Sequence, residues 1–211
     1  MTADSVCIID YGMGNLMSVF RAFQLFGCEV TVTNKAEDIR EAQRIILPGV
    51  GAFSVAMDNL RNLGLIDLLH QRVMIDKVPF LGICLGMQLI AEESYENGYY
   101  RGLGWIPASV RRLDDSEGLR VPHMGWNEVT PVVKSASLFE EIPSNNSFYF
   151  VHSYHVDCSD DSYIGSTCEY GRRFVSSIQY ENIYAAQFHP EKSQKHGLRL
   201  LQNFLNLSRP S

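Results

Sequence analysis

The segment Gly82-Ile83-Cys84-Leu85-Gly86 sets a sulfur nucleophile between two spaced glycines. An apolar strand signal, Pro79 to Cys84, precedes it, and a helical pattern, Leu85 to Ser94, follows. That is the setting of a nucleophile elbow, a strand-to-helix turn that lifts the side chain clear of the fold. A sulfur at a helix N-terminus is favoured as thiolate by the dipole. The backbone N–H of Leu85 would face a developing oxyanion. The competing reading is a plain buried cysteine in an apolar run.

A cysteine nucleophile needs a base. Of the six histidines, His189 stands out, because His189-Pro190-Glu191 closes an apolar strand signal, Ile183 to Phe188. Residues two apart on an extended chain share a side, so Glu191 could orient the imidazole that faces Cys84. A solvated loop with an incidental pair is the alternative. Pro48-Gly49-Val50-Gly51 ends another short strand and could turn backbone amides into a cavity as oxyanion donors, or serve as an ordinary turn. Gln88 lies one helical turn past Cys84 and could face the same cavity. His152-Ser153-Tyr154 follows the aromatic strand Phe148 to Val151 and offers a polar wall, or a core histidine at a strand end. Pro122 to Asn127 places Met124 and Trp126 in a loop, where exposure would make them partner anchors and burial would make them core. Gly12-Met13-Gly14 lacks the third glycine of a dinucleotide fingerprint, and no P-loop occurs. No set of His, Cys and carboxylates has metal-ligand spacing, so no metal and no cofactor is expected.

The elements that must position these residues read as an α/β fold. Strand signals at Val6 to Asp10, Glu29 to Thr33, Arg44 to Leu47 and Pro79 to Cys84 alternate with helical patterns. The helices run through Leu16, Val19, Phe20 and Phe23, from Phe53 to Leu63, and from Leu85 to Ser94. This order predicts a mostly parallel sheet flanked by helices. In the second half, Val110 to Leu113, Asn127 to Val133, Phe148 to Val151, Phe174 to Gln179 and Ile183 to Phe188 read as strands that add hairpins to one side. Ser193 is expected to cap a last helix with Leu198, Leu201 and Leu205 on one face.

The chain has 211 residues, enough for one α/β domain over 1–211 with its own core. Its net charge of −6 lacks the footprint of a general nucleic-acid binder. Five cysteines without a C-x-x-C pair argue against a disulfide framework and fit a reduced, cytoplasmic compartment. Met1 to Ser5 has no basic region and predicts no signal peptide. The longest apolar stretch, Phe80 to Ala91, is too short to span a membrane.

Gly82 to Gln88 with the distant His189-Pro190-Glu191 resembles the class I, triad-type glutamine amidotransferases. Within them the chain is similar to the glutaminase subunits of imidazole glycerol phosphate synthase over nearly its full length. Ile9 to Leu16, Leu47 to Phe53, Gly102-Leu103-Gly104, Pro122 to Asn127, Phe150 to Tyr154 and Phe188 to Ser193 carry the likeness. The resemblance implies a flavodoxin-like sheet and a catalytic triad of Cys84, His189 and Glu191. It implies an oxyanion hole at Gly49, Val50, Gly51 and Leu85, and glutamine held by Gln88, Glu96, Ser153 and Tyr154. It further implies a heterodimer with a (β/α)₈ cyclase subunit that receives ammonia for histidine biosynthesis. Asn15, Trp126, Asn127 and Lys192 match positions near that interface. His155, the Arg172-Arg173 pair and the aromatic Tyr99-Tyr100 loop depart from the family pattern. Three alternatives remain at this level: a glutaminase serving another synthase, such as one that aminates surface-polysaccharide sugars, a cysteine peptidase or DJ-1-like hydrolase on a related sheet, and a catalytically silent module that only docks on a barrel.

Overall fold

The computed structural model describes residues 5–115, 118–132, 137–144 and 146–207. Strand β1 (Ser5–Ile9), helix α1 (Leu16–Gln24), β2 (Glu29–Thr33), α2 (Ala36–Glu41), β3 (Arg44–Gly49) and α3 (Phe53–Asn62) open the fold. They are followed by α4 (Leu65–His70), one π-helical turn (Gln71–Ile75), β4 (Phe80–Cys84) and α5 (Leu85–Leu89). Then come β5 (Ala91–Ser94), β6 (Tyr100–Arg101), β7 (Ile106–Arg112), β8 (His123–Pro131), β9 (Asn146–His152) and β10 (Tyr154–Cys158). Strands β11 (Ile164–Tyr170), β12 (Arg172–Tyr180) and β13 (Ile183–Ala186) precede the last helix, α6 (Gln194–Asn206).

The main sheet has nine strands in the order β2-β1-β3-β4-β13-β12-β11-β8-β9. The pairings from β2 through β13 are parallel, and those from β13 to β9 are antiparallel. Strands β1, β3, β4 and β13 are covered on both faces and read as short apolar runs, whereas the edge strand β2 alternates. Along β1, Cys7 and Ile9 join one buried cluster with Phe53, Met57 and Leu85, while Val6 and Ile8 join another with Phe23, Phe150 and Phe204. Among the described residues no helix is long and apolar enough to cross a membrane. The segment preceding Ser5, where the sequence predicts no signal peptide, lies outside the described residues.

Four expectations need correction. The helix after Cys84 stops at Leu89 instead of running to Ser94. The backbone N–H groups of Leu103, Trp105 and Gly104 donate to the carbonyls of Leu89, Ile90 and Ala91. Those carbonyls would otherwise accept the next helical turn, and the chain turns into β5 beside β7 instead. The second half does more than add hairpins to one side. β8, β9, β11, β12 and β13 extend the main sheet, whereas β10, β7, β5 and β6 form a separate four-stranded sheet. Ser193 does not cap α6 with its side chain. Its Oγ donates to His189 O at 2.6 Å and accepts from Tyr149 N at 3.0 Å, which ties α6 to the loop before it. Leu201 and Leu205 are buried as the pattern predicts, and Leu198 packs beside them. The strand expected to reach Val133 ends at Pro131, and Val133 lies outside the described residues.

Candidate active site

Strands β3, β4 and β13 are adjacent, and their carboxyl ends deliver the three parts of the site. Gly49 pairs with Cys84, and Ala186 pairs with Ile83. Open sheets of this kind gather functional groups at that edge.

Cys84 has φ 55° and ψ −106°, a strained backbone for a residue with a side chain. Strand β4 on one side and α5 on the other hold it there, as an elbow requires. Gly86 makes the turn possible, since a Cβ at that position would stand 1.7 Å from Leu47 O. Leu85 is the first residue of α5, so its N–H has no acceptor within the helix. Gly49 is equally constrained, because a Cβ there would meet the Tyr11 hydroxyl at 2.0 Å. Tyr11 itself is buried, and its hydroxyl has no hydrogen-bond partner among the described residues. Burial, with the nearby Cys84 sulfur, pushes its phenol well above the usual range.

His189 Nδ1 lies 2.8 Å from Glu191 Oε1, and both side chains are 3% exposed. The pair meets as the sequence predicts, though not on an extended chain: Pro190–Lys192 forms a short 3₁₀ turn. The backbone N–H of His189 donates to Tyr149 O at 2.9 Å, so β9, the last strand of the sheet order, returns to the site. Nε2 of His189 is buried and meets no hydrogen-bond partner among the described residues. Burial alone would lower this imidazole, but the Cys84 sulfur and the Glu191 carboxylate outweigh it and push His189 up to about 10. An imidazole that readily takes a proton beside a sulfur suits a thiolate–imidazolium couple.

A cavity of about 280 Å³ opens over Cys84. Val50, Gly51, Leu85, Gln88, Glu96, Ser153 and Tyr154, all candidates from sequence, line it, together with His152. Glu96 Oε2 accepts from Phe53 N at 2.6 Å, which fixes the carboxylate at the start of α3. Gln88 Nε2 donates to Tyr154 O at 2.9 Å and to Gln187 Oε1 at 3.1 Å. Among the described residues no group of His, Cys, Asp and Glu could hold a metal ion.

The four interface candidates fall into different settings. Asn15 is exposed and caps α1 by accepting from Ser18 N at 3.4 Å. Trp126 is 49% exposed and Met124 62% exposed, on one face of β8, which is a strand where a loop was expected. The Trp126 ring meets Tyr149 edge-on at 6.1 Å, and the exposed Lys192 lies 5.9 Å over the Tyr149 ring. Asn127 lies on the opposite face of β8 and turns inward to His123 and the Glu169 carbonyl.

Sequence reasoning missed Gln187. It is fully buried, and its Nε2 donates to Cys84 Sγ at 3.8 Å. A glutamine inside the apolar run Ile183 to Phe188 was the available signal, since a buried amide demands partners.

Known proteins are similar to this chain over nearly its full length. The family Glutamine amidotransferase class-I matches residues 7–207. Imidazole glycerol phosphate synthase subunit HisH of Methanocaldococcus jannaschii is 49% identical over 200 residues, covering 95% of this chain and 98% of that one. Imidazole glycerol phosphate synthase hisHF, chloroplastic, of Arabidopsis thaliana is 46% identical over 213 residues, covering 100% of this chain and 36% of the plant protein. A solved structure of PurLQS from Thermotoga maritima superposes with a TM-score of 0.71 at 17% identity, covering 97% of this chain and 98% of that one. That last likeness concerns the fold alone.

Proposed function

The chain belongs to the class I glutamine amidotransferase family, in its HisH branch, and from that premise we propose how its residues carry the reaction. It is a glutaminase subunit of imidazole glycerol phosphate synthase, hydrolysing glutamine to glutamate and ammonia and acting with a cyclase subunit. The observation that carries the residue assignment is the meeting, at the ends of three adjacent strands, of a strained Cys84, an imidazole paired with Glu191, and a cavity lined by Val50, Gly51 and Leu85.

The Cys84 thiolate attacks the carboxamide carbon of glutamine. The Leu85 N–H and amides of the Gly49-Val50-Gly51 turn hold the oxygen that gains charge. His189, oriented by Glu191, protonates the departing amine, and ammonia leaves with a glutamyl thioester on the sulfur. Water then gives a proton to His189 and attacks the thioester, releasing glutamate and the free thiol. Gln88, Glu96, Ser153 and Tyr154 bind and orient the amino acid on the cavity wall. The exposed Trp126 and Lys192, on either side of Tyr149, together with Asn15, supply contacts to the cyclase. We place the protein in the cytoplasm and treat residues 1–211 as one domain; the thiol state of Cys7, Cys84, Cys158 and Cys168 supports the first, and the family match over 7–207 the second.

Glutamate release measured in four mixtures tests this reading. They are the chain alone, the chain with a histidine-pathway cyclase subunit, that pair with the cyclase's ribonucleotide ligand, and the third mixture with Cys84→Ala. Turnover is expected to rise sharply in the third and to vanish in the fourth. Turnover that persists with Cys84→Ala would overturn the nucleophile assignment.

A further inference from the structure

Strands β8 and β9 place two histidines directly opposite each other, His123 against His152. Both are buried, and His123 Nδ1 lies 2.9 Å from His152 Nε2. Aromatic rings enclose them: His123 stacks on Phe150 at 4.8 Å and on Tyr170 at 4.0 Å, and His152 lies 5.3 Å from Phe174. Burial pushes His123 down to about 4 and His152 down to about 3, so both are neutral at pH 7.

Two neutral imidazoles must decide which nitrogens carry hydrogen, and their neighbours leave no choice. His152 Nδ1 is 2.8 Å from Tyr154 O, and a carbonyl only accepts, so Nδ1 carries the proton. Nε2 of His152 is then a bare acceptor, and His123 Nδ1 must donate to it. His123 Nε2 is in turn an acceptor, and Asn127 Nδ2 donates to it at 3.3 Å. Asn127 cannot turn over, because its Nδ2 also donates to Glu169 O at 2.9 Å and its Oδ1 accepts from Glu128 N at 2.8 Å. Every donor in this row points from β8 towards the Tyr154 carbonyl.

That carbonyl is shared. Gln88 Nε2 donates to it at 2.9 Å and also to Gln187 Oε1 at 3.1 Å. With its oxygen taken, Gln187 shows its N–H to Cys84 Sγ at 3.8 Å. A flipped Gln187 would turn an oxygen lone pair on the thiolate and disfavour it.

We infer that the buried pair His123–His152, anchored by Asn127, is a positioning element for the nucleophile: it fixes the turn at Ser153–Tyr154 and, through Gln88, the face that the Gln187 amide shows to the Cys84 sulfur. Without the His123 donor, His152 is free to move its proton to Nε2. Its bare Nδ1 would then oppose the Tyr154 carbonyl. The turn that lines the cavity shifts, and Gln88 and Gln187 lose their fixed orientation. None of these groups touches the reacting atoms except the Gln187 amide, which meets the sulfur. The inference rests on the glutaminase reading for its turnover readout but not for its chemical one.

The test compares His123→Phe, which keeps the ring and removes the donor, with His123→Asn, whose Nδ2 replaces the lost N–H. Two quantities are read. One is kcat and KM for glutamine in the complex with the ligand-bound cyclase. The other is the pH dependence of Cys84 alkylation by iodoacetamide in the free subunit. Mass spectrometry of the Cys84 peptide separates that thiol from the other four. His189 and Tyr11, the titratable groups facing the sulfur, are the same in all variants. His123→Phe is expected to lower kcat and slow the labelling at pH 7 by about fivefold to tenfold, the scale of one lost hydrogen bond. The labelling midpoint should move to higher pH, and His123→Asn should return both quantities to within about twofold of the original. If the original protein labels normally and shows no glutamine turnover, the glutaminase reading fails, and the labelling still decides the inference. If His123→Phe folds and labels as fast as the original, or if His123→Asn is as slow as His123→Phe, the inference is overturned. Should His123→Phe fail to fold, Gln187→Leu is read by the same labelling, and an unchanged rate there overturns it equally.

Discussion

Gly86 illustrates how close the backbone comes to itself beneath the nucleophile. The site for a Cβ is occupied by the Leu47 carbonyl, which belongs to β3 and cannot swing aside as a flexible side chain would. Gly86→Ala is therefore expected to cost about 3 kcal/mol or more, the upper range for overpacking. The corresponding loss in a thermal unfolding scan is roughly 6 °C or more at this chain length. A fall under about 2 °C would mean that α5 can lift off β3 at little cost. At this scale the candidate residues were readable through side-chain type: two glycines around Cys84 and a histidine two residues before a glutamate pick out the turn and the pair that the structure shows. Gln187 and Tyr11 were not readable in the same way. A buried amide and a buried phenol look ordinary until a neighbour shows what their polar atoms face.

Among the elements, the β8–β9 hairpin divides two tasks between its faces. Trp126 and Tyr149 pair on the outer face, while His123 and His152 pair on the inner one. The outer patch is also one hydrogen bond from His189, the proposed base, since His189 N donates to Tyr149 O. Trp126→Ala is expected to weaken cyclase binding about tenfold or more, as for an exposed aromatic anchor, measured by titration calorimetry. Labelling of Cys84 in the free subunit should stay unchanged. Equal loss of labelling would show that the tryptophan supports the fold instead. The elements hardest to read from sequence were β10, β11 and the end of α5. Strand β11 buries Gly165, Ser166, Thr167 and Cys168, small residues without an apolar rhythm. The Ser166 hydroxyl meets those of Ser176 and Ser177 at 2.8 and 2.6 Å, so its polarity is satisfied inside the sheet. The stop after Leu89 depends on N–H groups from residues 103–105, which local pattern cannot reveal.

Across the whole molecule, burial gives the stability a pH dependence with two limbs. His123 and His152 stay neutral in the fold down to about 4 and about 3, whereas an unfolded histidine binds a proton near 6.5. Below that value the unfolded state holds more protons, so acid draws the equilibrium towards it. His189 acts the other way. Its folded value of about 10 means that the folded state holds the extra proton, and stability falls as pH rises from about 6.5 through 10. The buried Cys7 and Cys168 thiols and the half-buried Cys158 thiol, pushed up to about 12, steepen that fall above about pH 9. The unfolding temperature is thus expected to peak near neutrality, and in His123→Asn to fall less steeply between pH 6.5 and 4. An acid limb of unchanged slope in that variant would remove His123 from this account. The parallel half was legible as alternating strands and helices. The antiparallel half was legible only as a set of strands, because its order depends on pairings between distant segments.

Strand β13 lies between β4 and β12, so it bridges the parallel and antiparallel halves of the main sheet. It is also the last of the described strands to leave the ribosome, with His189 and Glu191 just behind it. A nascent chain ending before Ile183 has already exposed its elbow cysteine but owns neither base nor joined sheet. Domains assemble from the N-terminus at about 5–20 residues per second during synthesis. The protein therefore emerges as a catalytically silent half, and the seconds in which it gains its histidine are the same ones in which its sheet is sutured shut. On the residue roles proposed above, ammonia release cannot begin before the fold is finished.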